Sequence, residues 1–198
     1  MNLSEGQKKL VAHLLDQGIA KSAKQLAKIS RKEWRIESPI LSEGPGKRFC
    51  AYLGGSIQPH FGTYLSMQQA NLMAVLILFP KKSGQTVAAT FTENYDRAKR
   101  TPNWEKEAIA EISNILANAV AGPLADALGI AIILASPVIS RGSKSELFMD
   151  ALTQFDDNDA FVILANLSLS SSNISCDCSL IILLDKHLAT YMKEATTQ

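Results

Sequence analysis

An α+β fold, with an antiparallel sheet and two long helices on one side of it related by an internal pseudo-twofold, is what this sequence predicts. Three observations predict it. Two long stretches, 4–31 and 103–129, carry apolar residues at the helical period. Short apolar runs bounded by turn residues, such as 72–79, 160–169 and 176–184, have the length and composition of strands. The order of these segments also repeats. With Pro39 set on Pro137 (137 − 39 = 98), Ser38-Pro39-Ile40-Leu41-Ser42 falls on Ser136-Pro137-Val138-Ile139-Ser140, Val11 on Ile109, Leu14 on Ile112 and Leu26-Ala27 on Leu124-Ala125. Helical periodicity explains the apolar matches but not the shared Ser-Pro-x-x-Ser. The expected organisation is an internally duplicated single domain over 1–198, with repeats at about 1–94 and 103–198 and a connector at 95–102. Halves of under about 100 residues have thin cores alone and gain by sharing one sheet.

The elements follow in order. Ser4 with Gln7 reads as a capping box opening the first helix, whose apolar positions run from Leu10 to Ala27 and which Gly18 interrupts. An extended segment starts at Trp34 and reaches Pro39, and 43–47 (EGPGK) is turn chemistry. Residues 48–57 and 61–67 read as strands, and 72–79, apolar throughout, as a central strand buried on both faces. A short helix is expected at 85–92 and the polar connector (NYDRAKRTP) just after it. The second long helix starts at Asn103; Pro123 should kink it or close a turn, and Gly129 caps its end. A strand over 130–135 ends at Ser136-Pro137, a short helix covers 144–155, and 160–169 and 176–184 form a hairpin across the serines at 170–172. A closing helix covers 187–193.

Charge excludes one class of function. Twenty Lys and Arg against nineteen Asp and Glu leave a net charge of +1, without the basic surplus of a nucleic-acid binder. The apolar runs at 72–79 and 130–135 are too short to span a bilayer, and the start of the chain lacks the apolar core of a signal peptide. Cys50, Cys176 and Cys178 form no disulfide framework. A cytoplasmic protein with no membrane insertion is the expectation.

Chemistry concentrates on the second long helix. Glu107, Glu111, Asn114 and Asn118 recur at spacings of four, three and four, a row along one helical face. Ala108, Ile109, Ile112, Leu116, Val120 and Leu124 take the opposite face. A helix that buries the apolar stripe therefore offers the row to solvent or a partner. At the 98-residue offset the first helix carries Lys9, His13 and Asp16 in place of Glu107, Glu111 and Asn114, so the repeat keeps the core and not the exposed chemistry. His13 and Asp16 could bind a metal, but no third ligand is visible and no metal site is expected. His60 and His187 read as surface residues, and Cys176-x-Cys178 as strand packing.

These residues resemble a known pattern. Glu107-x3-Glu111-x2-Asn114-x22-Pro137 is similar to that of the CheC/CheX/FliY phosphatases: Asp or Ser, three residues, Glu, two residues, Asn, then twenty-two residues and Pro. Glu stands at 107 where that family prefers Asp or Ser, and Ser113 replaces the glycine usual before the Asn. The duplicated architecture resembles the CheC form over nearly the whole chain. The resemblance implies hydrolysis of the phosphoaspartate of a response-regulator receiver of the CheY kind. Asn114 would orient the water and Glu111 would dock to the receiver, with Glu107 and Asn118 as further binding residues. His13 and Asp16 would mark a degenerate second site. The protein would need no cofactor of its own, Mg²⁺ being carried by the receiver. The competing reading is a non-catalytic binding module or adaptor for a receiver or a CheD-like partner.

Overall fold

The structure, a computed structural model, describes residues 3–54, 57–94, 101–155, 160–171 and 174–195. Most of the expected connector, 95–100, lies outside the described residues. The chain runs α1 (Glu5–Ser30), β1 (Arg35–Pro45), α2 (Gly46–Leu53), β2 (His60–Ser66), β3 (Met73–Pro80), α3 (Lys81–Phe91), α4 (Trp104–Leu128), β4 (Val138–Gly142), α5 (Lys144–Phe155), β5 (Phe161–Ser171), β6 (Ile174–Leu184) and α6 (Lys186–Ala195). The six strands form one antiparallel sheet in the order β1-β5-β6-β3-β2-β4.

The element order is the same in the two halves of the chain: helix, strand, helix, two strands, helix. The strand order is a palindrome of the two halves, with β3 and β6 paired at its centre. The ladders agree residue by residue. Ile40↔Asn166 through Gly44↔Val162 on one edge has the registration of Val138↔Tyr64 through Gly142↔His60 on the other. The two prolines precede these matched stretches: Pro39 sits at the register shift between Glu37 and Ile40, and Pro137 immediately precedes β4.

Both faces of the sheet are covered, because its central strands are apolar on both. Residues of β3 from Met73 to Phe79 are all buried. Val75, Ile77 and Phe79 meet a core built with α1, α3, α4 and α6; Ala74, Leu76 and Leu78 meet a second core built with α2 and α5. This corrects two expectations. Residues 48–53 are helical, not a strand, and helices lie on both sides of the sheet. Pro45 ends β1, and Phe49 and Leu53, one turn apart, then bury against the second face. β-prone residues yield to the demand for a covering layer. A third correction concerns 130–135. It forms only the isolated bridge Leu134–Met67 with flanking backbone bonds, and the strand proper begins at Val138. Helix α3 starts directly at Lys81, earlier than expected.

The caps follow the sequence. Ser4 and Gln7 form the reciprocal capping box, and Gly129 closes α4 in the left-handed conformation at φ 62°. Of the two outcomes expected at Pro123, a closed turn does not occur: α4 continues through the proline to Leu128. The proline has no N–H for the Ala119 carbonyl one turn back. Gly18 of α1 packs against that same carbonyl: a Cβ on Gly18 would lie 2.5 Å from Ala119 O and 2.9 Å from the Val120 Cα. Only a hydrogen fits there, so Gly18 sets the closeness of the two long helices. By length and apolar composition alone α4 could cross a membrane, but Ile109, Ile112, Leu116 and Val120 are at most 1% exposed, buried in the core.

The long helices are antiparallel. Lys8, near the start of α1, pairs with Glu43 near the end of β1, while Glu105, at the start of α4, approaches Arg141 near the end of β4. Those strands are opposite edges of the sheet, and the two residues lie at its opposite ends. The C-terminal half of α1 therefore lies beside the N-terminal half of α4.

His60, expected at the surface, is buried at 2% exposure at the start of β2, its Nδ1 2.7 Å from the Gln58 carbonyl. Burial lowers its pKa from the ordinary 6.5, with the Lys144 charge adding to the effect and the bond to Gln58 opposing it. The unfolded chain then takes up a proton that the folded chain resists. Stability is expected to be full above about pH 6.5 and to fall as the pH drops below it toward the lowered folded value. Denaturant midpoints at pH 7.5 and 5.5 should show that loss in the wild type and a smaller one in His60→Gln.

Cys176 and Cys178 are free and buried against the α1/α4 core, as strand packing requires. Burial pushes the Cys176 thiol up to about 12 and raises that of Cys178 as well. Burial thus disfavours the thiolate, the nucleophilic form, at both positions.

Candidate functional site

Helix α4 presents the polar row as its spacing requires. Glu107, Glu111 and Asn118 are exposed and Asn114 is half-buried, whereas Ala108, Ile109, Ile112, Leu116, Val120 and Leu124 are buried. Ser113 points into the core at 0% exposure, so it is no part of the outward surface.

The four side chains are differently engaged. Glu107 Oε1 accepts a 2.8 Å bond from Thr101 Oγ1, whose oxygen also accepts from the Asn103 N–H at 3.2 Å. Glu107 thus ties down the start of α4. Glu111 has no hydrogen bond or ion pair among the described residues, so its carboxylate is available to a partner's cation. Asn118 Nδ2 donates to the Asn114 backbone carbonyl at 2.9 Å and to Asn114 Oδ1 at 2.7 Å.

That double contact settles both amide orientations. A backbone carbonyl can only accept, so the Asn118 atom facing it must be the NH₂ group. The Asn114 atom facing that NH₂ must then be the oxygen. Asn114 is left with its own NH₂ and one oxygen lone pair directed elsewhere, both held by a neighbour one turn on. An amide so fixed can donate to one ligand and accept from a second without losing side-chain freedom at the moment of use.

The first half of the chain holds no such arrangement. His13 is exposed, and its ring Nε2 lies 2.9 Å from Gln17 Nε2. Asp16 is exposed, and Ala20 stands where Asn118 stands in α4. No group of three metal-ligating side chains occurs among the described residues, so His13 and Asp16 gain no third ligand there.

The row is convex. A cleft of about 530 Å³ lies elsewhere, between α1, β1 and α2, lined by Lys8, Lys9, Glu43, Arg48, Phe49 and Tyr52. An acid–amide row on an outward helical face is placed to enter a concavity on another protein.

Two features of this neighbourhood escape a reading of the sequence. Asn118 acts on Asn114 rather than standing as an independent contact; an Asn-x3-Asn spacing is the signal for it. Gly18, which reads as an interruption of the first helix, is the point where that helix meets α4. Its signal is a glycine within one helix and a proline within another.

The same architecture occurs in solved structures. The chain has the fold of FliY from Thermotoga maritima, with a TM-score of 0.73 at 17% identity over 100% of this chain and 98% of that one. It is similar to the FliM middle domain from H. pylori (TM-score 0.68, 10% identity, 98% and 99% covered). It is also similar to the chemotaxis protein CheX from Desulfovibrio desulfuricans (TM-score 0.51, 10% identity, 87% and 99% covered). No protein-family model matches the chain, and no curated protein matches its sequence. The likeness is one of fold.

Proposed function

We propose that this chain is a CheC/CheX/FliY-type phosphatase that hydrolyses the phosphoaspartate of a response-regulator receiver. One observation carries the reading: an unpaired Glu111 and an Asn114 amide locked by Asn118 stand together on the outward face of the long helix of a FliY-like fold. The remaining part of the resemblance, Pro137 twenty-two residues on, falls where β4 begins.

The chemistry asks little of the protein. Water attacks phosphorus, the P–O bond to the aspartyl carboxylate breaks, and carboxylate and inorganic phosphate leave. Such a transfer needs positioning and charge compensation more than a strong base. Asn114 accepts a hydrogen bond from the water and aims its oxygen at phosphorus. Glu111, one turn back, pairs with a cation on the receiver and sets the depth of insertion. The receiver's own Mg²⁺ compensates the phosphoryl charge. Such a reaction belongs in the cytoplasm, where receivers are phosphorylated.

We read the fold as an internal duplication whose first site has degenerated. The palindromic strand order and matched edge ladders support this. The replacement of the Glu-Asn-Asn set by His13, Asp16 and Ala20 supports loss of the first site.

The test is loss of labelled phosphate from purified receivers. Acceleration by the wild type and by Asp16→Ala, with none by Asn114→Ala, is the expected result. Phosphate-dependent binding without acceleration would favour the binding-module reading instead. Turnover by Asn114→Ala at the wild-type rate would overturn the catalytic assignment.

A further inference from the structure

The exposed face of α1 changes character along its length. Its N-terminal half mixes signs, with Glu5, Lys8, Lys9 and Asp16. From Lys21 to Arg31 it has no acidic residue, and Lys21, Lys24, Lys28 and Arg31, at spacings of three, four and three, are all exposed on one side. None of the four has an ion pair or hydrogen bond among the described residues, whereas Lys8 and the adjoining Lys32 are paired with Glu5 and Glu93. The helix dipole favours cations only in the last turn, which accounts for Lys28 and Arg31 but not for Lys21 and Lys24. Mixed signs are the ordinary state of a solvated face. A single-sign run in a chain of net charge +1 is a local field.

Its position gives that field a direction. The antiparallel packing sets this half of α1 beside the half of α4 that carries Glu107, Glu111 and Asn114. One helix offers carboxylates and an amide, and its neighbour, an interaxial distance of roughly 8–10 Å away, offers four cations. We propose that Lys21, Lys24, Lys28 and Arg31 form an electrostatic docking strip for an acidic protein surface, that of the same partner on which Glu111 and Asn114 act. This rests on the phosphatase reading for the identity of the partner. A phosphoaspartate that carries Mg²⁺ is held among carboxylates, so the surface surrounding it is acidic. Such a surface complements the strip while a cation beside it complements Glu111. The degenerate half of the molecule then recruits the partner on which the other half acts.

Steering of this kind appears in the association rate and fades with salt. The probe is the set of receiver domains from the source organism, each activated with beryllofluoride. For the receiver that binds, Lys21→Gln/Lys24→Gln/Lys28→Gln, with Arg31 left in place because it closes α1 as its left-handed C-cap at φ 56°, is expected to associate about tenfold more slowly at 50 mM salt. The gap should close to within about twofold at 500 mM. Turnover at saturating receiver should stay within about twofold of wild type. Circular dichroism confirms that the variant is folded. Lys9→Gln/Lys47→Gln/Lys186→Gln removes the same charge at the other end of the molecule and should leave the association rate unchanged. Equal rates for the strip variant and wild type, or equal losses in the strip and control variants, would overturn the proposal. So would failure of every receiver to bind, or strip-dependent binding only to phosphatidylserine vesicles or duplex DNA. The phosphatase reading fails separately, through unchanged turnover in Asn114→Ala.

Discussion

Gly18→Val is expected to destabilise the protein by about 3 kcal/mol, at the upper end of the usual range for overpacking a core. The atoms a side chain at Gly18 would strike, Ala119 O, Ala119 C and the Val120 Cα, are all backbone of α4, so no rotamer change relieves the clash. The helices must separate, and the core beneath them, with Leu15, Ile19, Leu116 and Val120, opens. Gly18→Ala meets the same collision but recovers about 1 kcal/mol of helix propensity, leaving a cost of about 2 kcal/mol. Gly122→Ala, in α4 with nothing within 4 Å of its Cβ position, is expected to change stability in the opposite direction by roughly 0.5–1 kcal/mol. Urea midpoints of the three variants check the set. A stable Gly18→Val would mean that α1 and α4 are not held this closely.

Asn114→Ala is expected to slow receiver dephosphorylation by about 100-fold or more, the scale of losing one preorganised hydrogen-bonding group at a reacting centre. Asn118→Leu should cost about tenfold, because Asn114 keeps its amide and loses only the neighbour that orients it. The double variant should be no slower than Asn114→Ala alone, since the lock has nothing left to hold. Glu111→Gln keeps the shape and removes the charge, so it should raise the receiver concentration needed for half-maximal rate more than it lowers the maximum. Single-turnover phosphate release over a range of receiver concentrations separates these effects. Additive losses at 114 and 118 would show that Asn118 touches the receiver itself.

Much of this was legible in the chain. The capping box at Ser4, the glycine cap at 129, the α5 boundaries and the β5–β6 hairpin all follow from local chemistry that neighbours do not override. The outward placing of Glu111 and Asn114 follows from helical periodicity, since Ile112 and Leu116 had to face the core. Sequence and structure part where a segment's state depends on what it covers. Residues 48–53 have β-prone side chains yet form α2, because the second face of the sheet, with Leu76, Leu78, Val162 and Leu183, needs a lid. His60 reads as a surface residue and is buried, because β2 lies between β3 and β4.

Periodicity and spacing alone therefore settle which helix carries the acid–amide row, which way it faces, and that the first half lacks the same residues. They do so because an amphipathic helix has one way to bury its stripe. The packing settles the rest: that Asn118 holds Asn114, that Gly18 bears on the carbonyl Pro123 leaves free, and that a cationic half of α1 lies beside the row. Those are relations between residues one turn apart or on different elements. They depend on side-chain rotamers and on the antiparallel pairing of the long helices, which spacings such as Asn-x3-Asn signal but do not fix.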